Sequence, residues 1–144
     1  MSGSFLSIRP LLAAAVATAM YCALPASAQD CPQEATELPV QALYGRWEAR
    51  FDGGPSAGVQ LARHPEYDGG VRGTIVRDGV TAQLSGDVDD AGQLTLDESQ
   101  DGQRISAVWS GDLQKESCGK EFQGTWRNSN DDSVQGFVLR KVAP

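Results

Sequence analysis

The stretch Asp87-Val-Asp-Asp-Ala-Gly-Gln-Leu-Thr-Leu-Asp-Glu98 admits two readings that lead to different folds. With Asp at its first and third positions, Gly at the sixth, an apolar residue at the eighth and Glu at the twelfth, it approaches the loop of a helix–loop–helix calcium site. Its fifth position is Ala91, however, which offers no side-chain ligand, and such a loop needs a helix on either side. Instead, Val80-Thr-Ala-Gln-Leu-Ser85 ahead of it alternates in the period of a strand, and Leu94 and Leu96 continue that alternation inside it. The stretch therefore reads as a hairpin whose turn is Asp89-Asp-Ala-Gly92. Asp87, Asp89, Asp90, Asp97, Glu98 and Asp101 still form a run of carboxylates without a basic residue, suited to loose surface binding of a divalent cation and not to a caged metal site.

Outward from this hairpin the same two-residue period recurs, and no helical stripe interrupts it. Eight candidate strands follow, at 43–51, 57–63, 71–77, 80–87, 93–98, 103–113, 120–127 and 134–142. The connections at 52–54, 65–70, 78–79, 89–92, 101–102, 114–119 and 128–133 are rich in Gly, Asp, Asn and Ser, so neighbouring strands join as antiparallel hairpins. Alternation puts Trp47, Ala49 and Phe51 on one face and Arg46, Glu48 and Arg50 on the other. The same apolar face collects Val59, Leu61, Val71, Ile75, Ala82, Leu84, Ile105, Ala107, Trp109, Phe122 and Trp126. A sheet apolar on one side must cover that side. Closing into an all-β, eight-stranded antiparallel up-and-down barrel does so and removes both edges; a two-sheet sandwich is the rival fold. Gly45, Gly73, Gly86, Gly111, Gly124 and Gly136 fall on or beside the apolar face, where tightly coiled strands bend.

Ahead of the strands, residues 1–28 read as a secretory signal peptide: Arg9, the apolar run Leu11-Leu-Ala-Ala-Ala-Val-Ala-Thr-Ala-Met20, then Pro25 and Ala26-Ser-Ala28. The apolar run is too short to span a bilayer. A lipid-attachment reading of Cys22 is disfavoured by the bulky Met20 and Tyr21 beside it. Cleavage after Ala28 leaves an N-terminal arm at 29–42, a barrel domain at 43–144, and a periplasmic or secreted product. It also leaves Cys31 and Cys118, an even pair suited to one disulfide, the alternative being two buried thiols. Only Arg9 of the chain's 12 basic residues lies in 1–28, so 11 remain against 19 acidic ones, a net charge of about −8. That sign repels phosphates and disfavours nucleic acid and anionic membranes as partners. No integral membrane segment is expected after cleavage.

Catalytic signals are weak. His64, the single histidine, lies at a strand end in Arg63-His-Pro-Glu66 and reads as a surface loop residue. Asp97 and Glu98 are adjacent on a strand and point to opposite faces, which suits neither a shared proton nor an acid–base pair. No catalytic residue, metal site or cofactor is expected. Trp109, Trp126 and Phe122 are the side chains placed to line a ligand space, with core filling as the competing role, and a mostly filled interior confines any ligand to one mouth.

From Leu43-Tyr-Gly-Arg-Trp47 onward the chain resembles the calycins, the lipocalin- and avidin-type barrels, which carry G-x-W on the first strand. Gly136-Phe-Val-Leu-Arg140 resembles the lipocalin final strand. The resemblance implies that Trp47 plugs the barrel floor and that Arg140 stacks on it as a cation–π partner. A second G-x-W, Gly124-Thr-Trp126, is similar to avidin-type strands whose tryptophans wall a pocket. In size, export signal and layout the chain is also similar to compact bacterial barrels that inhibit secreted metalloproteases through an N-terminal arm. Two functions are thereby expected ahead of an enzyme: an exported non-catalytic barrel that binds a small apolar or aromatic molecule at its mouth, or an inhibitor or other protein-interaction module of the envelope.

Overall fold

The computed structural model describes residues 31–144 together with Met1, Gly3, Ser4, Ser7 and Ala14. The export segment read at 1–28 lies outside the described residues save for those five positions, as do residues 29–30. The alternating segments form eight strands: β1 Gly45–Phe51, β2 Ser56–Arg63, β3 Gly70–Arg77, β4 Val80–Val88, β5 Gln93–Ser99, β6 Ala107–Leu113, β7 Glu121–Asn128 and β8 Val134–Ala143. Each pairs antiparallel with the next, and β1 pairs with β8, so the sheet closes as an up-and-down barrel and not as a sandwich. In the hairpin between β4 and β5, the Asp89 carboxylate accepts from the backbone N–H groups of Ala91 and Gln93, each at 2.9 Å, and Gly92 takes φ 84°. The acidic stretch is a turn.

Two segments depart from the expected strands. Residues 103–106 are a loop, and Ile105 is 49% exposed instead of facing the core. The cause is Asp101: its Oδ1 accepts from the N–H groups of Gln103 and Arg104, both at 2.8 Å, and this turn removes their donors from the ladder. The first strand begins at Gly45 because Val40–Leu43 winds into a 3₁₀ turn.

Inside, the barrel is filled. Trp47, Trp109, Phe122 and Leu139 are at most 1% exposed. Phe51 meets Trp109 edge-on at 5.2 Å, Trp109 meets Phe137 at 4.9 Å, and Trp47 meets Phe122 at 6.0 Å. Such contacts add roughly 0.5–1.5 kcal/mol per pair to what area burial supplies. The coiling that closes the barrel depends on missing side chains: a Cβ on Gly73 would strike the Gln60 carbonyl, and one on Gly124 would strike the Ser110 carbonyl.

At the floor, the arm is folded onto the barrel. Its 3₁₀ turns, Ala35–Glu37 and Val40–Leu43, bury Ala35 and Leu43 in the core. The Cys31–Cys118 disulfide ties the arm to the β6–β7 turn. Trp47 donates its indole N–H to the Leu43 carbonyl at 2.9 Å, which seats it as the floor plug. Arg140 is not its partner. Phe137 and Leu139 point inward on β8, so Arg140 has the outward parity; its side chain is 61% exposed and pairs with Glu121 at 3.4 Å. Lys141 takes the place instead, with Nζ 5.7 Å over the Trp47 ring and donating to the Ala42 carbonyl at 2.8 Å.

Candidate functional site

Strand parity also carries charge into the barrel. On β5, Leu94, Leu96 and Glu98 share the inward face; on β3, Val71, Ile75 and Arg77 do. Both charged residues lie at the end of the barrel opposite the arm, where β1 delivers Phe51, β6 delivers Trp109 and β7 delivers Trp126. The register sets Trp109 directly across from Trp126.

Glu98 is 4% exposed, and its Oε2 accepts both indole N–H groups, from Trp109 and from Trp126, each at 2.9 Å. Two converging donors fix the carboxylate and satisfy both indoles, as buried Trp N–H groups require. Arg77 closes the mouth above it. The guanidinium carbon stands 4.2 Å over the Phe51 ring and 5.0 Å over the Trp126 ring, while Nη2 comes only to 3.7 Å from Glu98 Oε2. That separation is an ion pair without a hydrogen bond. Nε and Nη2, the edge that matches a carboxylate bidentately, are buried and have no partner. Beside this cap lies a half-open cleft of about 210 Å³, bordered by Ile75, Asp78, Val80, Ala82 and Gln100.

Of the three residues expected to line a ligand space, Trp109 and Trp126 stand together on Glu98 and Phe122 is apart from them. Trp109 and Phe122 are fully buried, Phe122 sits near Trp47 at the floor, and Trp126, at 8% exposure, reaches the mouth. Glu98, Arg77 and Phe51 complete the mouth, and none of them was among the residues expected to line a ligand space. The signal was present in the parity: an acid and a base on otherwise apolar inward faces.

His64 is 4% exposed, so it is not a surface loop residue. Its Nδ1 accepts the backbone N–H groups of Glu66 and Tyr67 at 3.1 and 3.2 Å, and its ring packs 4.7 Å from that of Tyr67. The side chain holds the β2–β3 turn and borders a polar groove of about 420 Å³ with Tyr67, Asp87 and Asp97. Asp97 and Glu98 do lie on opposite faces, one exposed and one buried. Among the described residues, no group of three or more His, Cys, Asp or Glu is placed to hold a metal ion, and no helix is long and apolar enough to cross a membrane.

The Asp101 carboxyl, held by the N–H groups of Arg104 and Gln103, lies below the usual carboxylate range. At the floor, burial and then the neighbouring Lys120 push the Lys141 amine down. No family model matches the chain, and no curated protein is significantly similar to it in sequence.

Proposed function

We propose that this is an exported, non-catalytic binding barrel, calycin-like in kind, that takes a small ligand at the mouth formed by Phe51, Trp126, Glu98 and Arg77. The observation that carries the reading is the contrast between a filled interior and this one end: Phe51 and Trp126, at 7% and 8% exposure, lie under the guanidinium of Arg77, and Arg77 and Glu98 in turn line the cleft. A ligand here is fragment-sized, because a space of about 210 Å³ is below the usual range of about 300–1,000 Å³ for drug-sized sites. The groups at the mouth hold and orient; none forms a nucleophile–base pair. The Cys31–Cys118 bond suits an oxidising compartment, in keeping with export. The test is a titration of the processed protein with small apolar, aromatic and cationic fragments, read by the Trp126 indole N–H resonance. A panel that leaves that resonance unmoved at millimolar concentration refutes the reading.

A protein partner is the second reading, favoured by the exposed Val76, Val80 and Val134 at the mouth ends of their strands and Ile105 in the β5–β6 loop at the same end. Insertion of the arm into an enzyme cleft has less support, since Ala35 and Leu43 are buried in the core and Leu38 and Val40 pack against it.

A further inference from the structure

We infer that the mouth is a cage for an organic cation and that the protein's own Arg77 occupies it in the unliganded state. The inference rests on the mouth reading above and names the chemistry of the ligand. Three features define the cage. The Glu98 carboxylate is fixed by two indole N–H groups and directs its charge at the mouth. The faces of Phe51 and Trp126 present the negative side of their quadrupoles to whatever sits above them. Around them, the four connections at this end carry Asp52, Asp78, Asp101, Asp131 and Asp132 against Arg104 alone, a field that attracts cations and repels anions.

A carboxylate joined to aromatic faces is the recognition chemistry of alkylammonium and guanidinium groups. Arg77 fits the charge but not the geometry. Its nearest nitrogen stays at 3.7 Å from Glu98, and two of its donors are buried and unpaired. A guanidinium gains most from a direct fork-to-carboxylate match, which is absent here. A quaternary ammonium has no N–H to satisfy, so it uses the same faces and charge without that penalty. Arg77 is therefore a tethered competitor, favoured by its high effective concentration and disfavoured by its fit.

The consequence is unusual for a binding site: deleting a residue of the mouth should improve binding. The probe is tetramethylammonium chloride, titrated at constant ionic strength against NaCl, with tert-butanol as a neutral ligand of similar shape. Binding is read by tryptophan fluorescence and by the Trp126 indole N–H resonance. The wild-type protein is expected to bind at millimolar concentration, with Arg77→Ala and Arg77→Thr at least tenfold tighter. Adding Glu98→Gln to either variant should remove at least tenfold, and tert-butanol should not compete. Affinity in both Arg77 variants no better than wild type, or unaltered by Glu98→Gln, overturns the inference, as does equal binding of tert-butanol. If neither Arg77 variant folds, the wild-type resonance decides: a shift with tetramethylammonium beyond that with NaCl supports the cage, and its absence refutes it. Neutral fragments that shift the resonance where the cation does not would leave the mouth as a binding site and remove the cation; silence with every probe would remove both.

Discussion

Substituting Glu98 tests whether the mouth is held by its carboxylate. Leu at this position matches the inward Leu94 and Leu96, and it leaves the indole N–H groups of Trp109 and Trp126 without their acceptor. A buried donor stripped of its partner costs roughly 1–3 kcal/mol, so the two together cost about 2–6 kcal/mol. Losing the ion pair with Arg77 adds little, about 1 kcal/mol or less, because the contact is long and Arg77 is 27% exposed. Burying the leucine side chain returns about 1–2 kcal/mol. From the middle of each range, the expected net loss is about 3 kcal/mol. Glu98→Gln keeps one carbonyl oxygen for the indoles and forfeits the charge that roughly doubles such bonds, so about 1–2 kcal/mol should be lost. Adding Arg77→Thr to Glu98→Leu should recover only the arginine's share, since the indoles stay unpaired. Urea unfolding followed by tryptophan fluorescence and near-ultraviolet circular dichroism measures all four proteins. A Glu98→Leu protein within about 0.5 kcal/mol of wild type, or no milder a loss in Glu98→Gln, would show that the two indole bonds do not hold this end together.

Three further outcomes follow from the same contacts. Replacing Cys31 and Cys118 by Ser opens a link of sequence separation 87, for which chain entropy gives about 4–5 kcal/mol; the urea midpoint should fall and protease should cut the arm first. His64→Ala removes the acceptor shared by the Glu66 and Tyr67 N–H groups and should cost about 1–2 kcal/mol in thermal unfolding, with no gain if binding at the mouth is intact. Asp101 and Asp131 titrate below their unfolded values, held by the backbone and side chains of their turns, so their contribution is present above about pH 4 and fades as pH falls through their lowered range. Hydrogen-exchange protection factors in the β5–β6 and β7–β8 loops, taken against the intrinsic rate at each pH, should fall over that acid range before the strands open; loops that stay protected until global unfolding would contradict it.

Much of the barrel was legible because one rule, alternation, operates along every strand. Where that rule was followed the faces came out right from Trp47 to Trp126, except at Ile105. The errors arose where a different cue was preferred. Arg140 was chosen by its likeness to a final-strand motif, although Phe137 and Leu139 give Lys141 the inward parity. Glu98 was counted with its acidic neighbours, although Leu94 and Leu96 place it inside. Ile105 failed for another reason: the Asp101 side chain captures the N–H groups of Gln103 and Arg104, a local bond that alternation does not register. The pairing of Glu98 with two tryptophans joins residues 11 and 28 positions away, and only the closed register brings them together.

Both ends of the barrel are sealed by a cation over a tryptophan, and the difference between the seals assigns their roles. At the floor, Lys141 lies over Trp47 and gives a 2.8 Å hydrogen bond to Ala42, and the disulfide-tied arm covers the same region. Burial lowers its pKa, so its charge is held there against a desolvation penalty and by a specific acceptor. At the mouth, Arg77 lies over Trp126 and Phe51 with two buried donors unpaired, no covalent tie, and a cleft beside it. Opening the floor would break a hydrogen bond and uncover Ala35 and Leu43, whereas moving Arg77 breaks no hydrogen bond and lets its donors reach water. The mouth is the end at which the structure can yield at small cost, which is the property a binding site needs and a structural plug does not.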